Sequence, residues 1–125
     1  MGRVPMRKFA VVSAILAGLL LTGCASNNSA LDDGWKLIRA QDYAAAQAQY
    51  QAVLAENPNN PYANLNLGVA YEKLGDKASA AKYYQAAIAS GKDAHIAAVA
   101  EDGKVAERST TVSKVAEENL AGLAS

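Results

Sequence analysis

Residues Pro61 to Ala94 read PYANLNLGVAYEKLGDKASAAKYYQAAIASGKDA, and the fold follows from how this stretch is punctuated. Its first half places Asn64, Leu67, Gly68, Tyr71 and Leu74 at i, i+3, i+4, i+7 and i+10, which predicts one buried helical face. Gly75-Asp76 then breaks the pattern, because glycine tolerates the left-handed backbone that ends a helix. Beyond it, Ala80, Ala81, Tyr84, Ala87 and Ile88 resume the same periodicity. Two amphipathic helices joined by a tight turn make an αα-hairpin. Gly68 and Ala80 are small where the axes approach, and Tyr71 and Tyr84 are large beside them. A seam of this kind resists overpacking, which costs about 1–3 kcal/mol.

Leu67-Gly68, Tyr71, Gly75-Asp76, Ala80, Tyr84 and Ala87, in this order, resemble the tetratricopeptide repeat. Asn64 stands where that family usually has Trp, and Lys92 where it usually closes on Pro. The register extends backwards without a gap. Gly34, Asp42, Ala46 and Tyr50 lie 34 positions before Gly68, Asp76, Ala80 and Tyr84. Residues 31–60 therefore form a more worn first repeat and residues 61–94 a second, the first closing on Asn57-Pro58-Asn59-Asn60. Asp33, Gln41 and Val53 replace Leu67, Gly75 and Ala87, so the first helix of the worn copy is less securely buried at its start.

The segment 95–125 carries no third copy. Ser109 to Thr111 offer helix N-caps, and Val112, Val115, Ala116, Leu120 and Leu123 form an amphipathic stripe. A helix there should cap the flank of Tyr83, Tyr84 and Ile88, since two repeats alone leave an apolar edge open. Between Ala94 and that helix, the alternation in AVA and KVAE would suit a small hairpin, but the high alanine content favours helix or coil. The expectation is an ordered loop turning at Asp102-Gly103. The expected fold class is all-α, two repeats with a C-terminal capping helix.

The other informative stretch is N-terminal. Arg3, Arg7 and Lys8 precede an apolar run from Phe9 to Leu21, which is too short for a comfortable membrane span. It ends Leu21-Thr22-Gly23-Cys24, which resembles the lipobox of bacterial lipoproteins. The resemblance implies a signal peptide over 1–23, cleavage before Cys24, and acyl chains on the Cys24 thiol. Cys24 is the only cysteine, so no disulfide framework competes for it. Two or more chains anchor a protein stably, where one does so only marginally. Ala25, in place of the Asp that retains Gram-negative lipoproteins at the inner membrane, favours the outer membrane facing the periplasm. Residues 25–30 (ASNNSA) are polar and aperiodic, as expected of a flexible tether.

Charge narrows the partners. Setting Arg3, Arg7 and Lys8 aside from the twelve basic residues leaves nine against twelve acidic ones, a net of −3 with His95 neutral. This mildly acidic body argues against nucleic acid, whose binding relies on basic patches. No catalytic constellation is apparent: the chain has one His, and the acidic pairs Asp32-Asp33 and Glu117-Glu118 are helix neighbours that point apart. His95 without clustered ligands is a poor metal site. The expectation is a protein that is not an enzyme and uses no cofactor or metal.

What remains is a surface. In the tetratricopeptide repeat family, the first helices of successive repeats line a groove for a peptide or a partner's helix. Opposite the buried stripe, Tyr62, Asn66, Val69 and Lys73 share one face of the second repeat's first helix. Their counterparts 34 positions earlier are Asn28, Asp32, Trp35 and Arg39. The resemblance implies a ligand-backbone contact for Asn66, while Trp35, the only Trp, suits an interface anchor. Two bland readings stand beside this: Trp35 packs beneath the tether, and Arg39 and Lys73 are solvated charges. The functional expectation is a membrane-anchored module that binds or scaffolds a protein or peptide partner in the bacterial cell envelope. The alternative is a structural lipoprotein that associates with itself and has no separate client.

Overall fold

The computed structural model describes residues 27–125. The proposed signal peptide, Cys24 and Ala25 lie outside these residues. Four helices make two antiparallel pairs: α1 (Asn27–Arg39) with α2 (Tyr43–Glu56), and α3 (Pro61–Lys73) with α4 (Lys77–Ser90). Strands β1 (His95–Glu101) and β2 (Lys104–Thr111) follow, then α5 (Val112–Leu123). No helix among the described residues is long and apolar enough to cross a membrane.

The starts of α2, α3 and α4 have local causes. Asp42 and Asp76 cap α2 and α4 in the same way, accepting hydrogen bonds from the backbone N–H of Ala45 (3.2 Å) and Ser79 (3.0 Å). The Ser79 contacts hold the Asp76 carboxyl below its usual range. Asn60 caps α3, with Pro61 in the first turn where its missing N–H costs nothing. Gly75 takes φ +90° at the α3–α4 turn, and Gln41, its counterpart in the first repeat, is held at φ +60°. The worn copy thus keeps the left-handed turn without the glycine that makes it easy.

Tyrosine under glycine locks both pairs. Tyr50 and Tyr84 are fully buried, and a Cβ placed on Gly34 or Gly68 would lie 2.5 Å from the Tyr50 ring or 2.6 Å from the Tyr84 ring. Burial pushes both phenols well above their ordinary pKa. Asn64, in the family's Trp position, is 2 % exposed and donates to the Pro58 carbonyl, tying α3 to the turn before it. Around the tyrosines lie two apolar clusters, one on Ile38, Tyr50, Val53 and Leu67, the other on Leu65, Tyr84, Val112 and Val115.

Five expectations need correction. Leu74 is 48 % exposed, because it is the C-cap of α3 and the helical period no longer applies there. Residues 27–30 are not a flexible tether: α1 begins at Asn27, and Gln49 donates to the Ala30 carbonyl at 3.1 Å. The fold is not all-α, and 95–111 is not a loop but an antiparallel hairpin. Its turn does fall at Asp102-Gly103, where φ of 49° and 78° are the paired positive values of a tight two-residue hairpin turn. Helix α5 is capped by Thr111 and seats Val112, Val115 and Ala116 beside Tyr84 and Ile88. Tyr83, expected under the same cap, instead stacks on Tyr71 with ring centroids 5.5 Å apart.

Candidate functional site

The first helices α1 and α3 lie side by side, and the hairpin crosses their outer faces. Its strand β1 touches both apolar clusters, Ala100 packing on the first and Ile96 and Val99 on the second. Two polar contacts fasten it. Tyr62 donates its hydroxyl hydrogen to the His95 carbonyl at 2.9 Å, and Lys73 meets Asp102 at 3.1 Å. The Asp102 carboxylate raises the Lys73 pKa. At the tip, Gly103 lies so close to Gln41 that an added Cβ would be 2.8 Å from its amide nitrogen.

Between hairpin and helices a cavity of about 680 Å3 remains. Its apolar floor comes from Trp35, Ile38, Leu65 and Val69, and its far wall from β1 and from Val115 on α5. That volume lies in the range of ligand pockets, about 300–1,000 Å3. Asp32, Trp35, Tyr62, Asn66, Val69 and Lys73 all line it, so six of the eight residues expected on that face converge, and Asn28 is not among them. Arg39 does not line it; it stands exposed at the end of α1.

The roles within this set differ from the expectation. Tyr62 and Lys73 hold the hairpin. Asn66 donates to the Tyr50 hydroxyl at 3.1 Å, so one of its donors is spent on the core of the first repeat. Trp35 is half-buried and packs on the first cluster while it lines the cavity. The residues that sequence reasoning missed are those of the far side: Val99 on β1, Arg108 on β2, and Glu118 and Asn119 on α5. Arg108 and Glu118 pair at 2.6 Å, which lowers the Glu118 pKa and raises that of Arg108. For the two strand residues the signal available was the alternation around Val99 and Val105, outweighed by alanine content.

Paired helices with a 34-residue register, small-over-tyrosine seams and a face shared by successive first helices define a helical repeat protein. A family model described as tetratricopeptide repeat matches residues 31–95, just over half of the chain, and the chain belongs to that family. Such repeats generally mediate protein–protein interaction. Among curated proteins and among solved structures, nothing matches the chain significantly.

Proposed function

We propose that this protein is a lipid-anchored envelope module whose groove between α1, α3 and the hairpin binds a segment of a protein partner. The observation that carries the binding half is the convergence of Trp35, Tyr62, Asn66 and Val69 on one half-open apolar cavity in a repeat family that generally binds proteins. The anchoring half rests on Leu21-Thr22-Gly23-Cys24 after a basic and apolar leader. On this reading Cys24 carries the acyl chains, the outer membrane holds the protein, and the repeats face the periplasm.

Each half has its own test. Labelled palmitate should enter the protein in a Gram-negative cell and be lost in Cys24→Ser; equal labelling of that variant would remove the anchor. Crosslinking in intact envelopes should recover one dominant partner, and Trp35→Ala with Asn66→Ala should abolish its recovery. Recovery unchanged by both substitutions would mean that the groove is not the binding surface.

A further inference from the structure

We infer that the groove selects a cationic partner segment, one in which lysine or arginine interrupts a short apolar run. The inference rests on the groove being the binding surface and adds which chemistry it accepts. Four carboxylates line the cavity, those of Asp32, Glu72, Glu101 and Glu118, against two cations, Lys73 and Arg108. Both cations are already used: Lys73 meets Asp102, and Arg108 meets Glu118. Among the described residues no ion pair reaches Asp32, Glu72 or Glu101.

Their placement makes the imbalance bear on an occupant. Glu72 is half-buried and accepts the Tyr84 hydroxyl hydrogen at 3.0 Å, a neutral donor, and the neighbouring Lys73 cation makes its ion pair with Asp102 instead. Asp32 sits one turn of α1 before Trp35, at the mouth of the apolar floor, and Glu101 ends the strand that walls the far side. An apolar segment gains by covering Trp35 and Val69, which are only half-buried above the buried Ile38 and Leu65. Its charge then decides between partners, because a low-dielectric wall strengthens attraction to a cation and repulsion of an anion alike. An acidic segment would bring a fourth unpaired carboxylate among three.

The test uses the full protein, isolated in a nonionic detergent and immobilised, with a phage-displayed library of random short peptides as probe. Enriched sequences should carry Lys or Arg among apolar residues, and should bind with a shift in Trp35 emission. Removing two ion pairs, one exposed and one half-buried, corresponds to roughly tenfold in affinity, so Asp32→Asn with Glu72→Gln should weaken a selected peptide by about that factor. Raising ionic strength from about 0.01 M to about 0.15 M, which shortens the screening length from about 30 Å to about 8 Å, should weaken it similarly. Asp32→Lys, at an exposed position that leaves the fold intact, should do the same. Enrichment of neutral or acidic peptides that Trp35→Ala abolishes would overturn charge selection and leave the groove standing. Cationic peptides indifferent to Trp35→Ala, or a library in which nothing is enriched, would overturn the inference outright.

Discussion

Replacing Gly68 by alanine should destabilise the protein by about 1–3 kcal/mol, although alanine is the better helix former by about 1 kcal/mol. The new Cβ would stand 2.6 Å from Cδ1 and Cε1 of Tyr84 and 3.2 Å from its Cγ. Ordinary carbon contacts are about 3.5–4.0 Å, so the ring must retreat by roughly 1 Å. Its retreat is opposed, because Tyr84 is fully buried and its hydroxyl is tied to Glu72. Overpacking of about 1–3 kcal/mol adds to a strained hydrogen bond of about 0.5–1.5 kcal/mol, and together these outweigh the helix gain. Gly122 in α5 supplies the internal comparison, since a Cβ there meets nothing within 4 Å. Gly122→Ala should therefore leave stability unchanged or raise it by up to about 1 kcal/mol. Urea denaturation followed by circular dichroism reads both. Tyr84→Phe, which frees the ring from Glu72, should reduce the Gly68→Ala penalty by more than the roughly 0.5 kcal/mol expected of independent sites. A Gly68→Ala variant as stable as the parent would refute the account of the seam.

Gln41→Gly should stabilise by about 0.5 kcal/mol, the relief of a left-handed glutamine less the added chain entropy; a lower denaturation midpoint would contradict this. Asp102→Asn, which keeps a residue that tolerates the left-handed turn, should cost no more than about 1 kcal/mol, the range of an exposed ion pair, yet should make Trp35 more accessible to acrylamide quenching as the hairpin loosens. Unchanged quenching would mean that the ion pair does not hold the hairpin down. The carboxyls of Asp76 and Glu118 titrate below their ordinary values of 3.8 and 4.5 in the folded protein. Their contribution to stability is therefore complete above those values and is lost as pH falls through the lowered ones. Asp76→Asn with Glu118→Gln should flatten the acid limb of stability against pH, and parallel curves for parent and variant would contradict the assignment.

The repeats were legible because side-chain size recurs with the register. Gly34 with Tyr50 and Gly68 with Tyr84 state the same contact twice, and Asp42 and Asp76 state the same cap twice. Six of the eight residues placed on the groove face line the cavity: helical spacing fixed which side chains share a face, and the family resemblance which face to choose. Arg39 stands outside the cavity although Lys73, its counterpart and likewise the last residue of its helix, lines it and pairs with Asp102; Leu74 is exposed because it is the C-cap of α3. The hairpin was hidden for a different reason. Ile96, Val99 and Ala100 are strand residues through the helices they rest on, and tertiary contact of that kind overrides alanine's local preference. With the hairpin unseen, the engagement of Tyr62 and Lys73 by His95 and Asp102 could not be read either.

Because β1 and α5 wall the cavity from segments that follow both repeats in the chain, the pocket is assembled late. A nascent chain that has emerged only through Ser90 holds α1 and α3, the floor and one side, with Trp35 and Val69 open to whatever lies nearby. Closure waits on contacts about thirty residues apart, such as Tyr62 with His95, and on α5 settling its first turn against Ala94 and Gly91. A peptide present while the chain folds would thus find a shelf, whereas one added afterwards meets a partly roofed cavity.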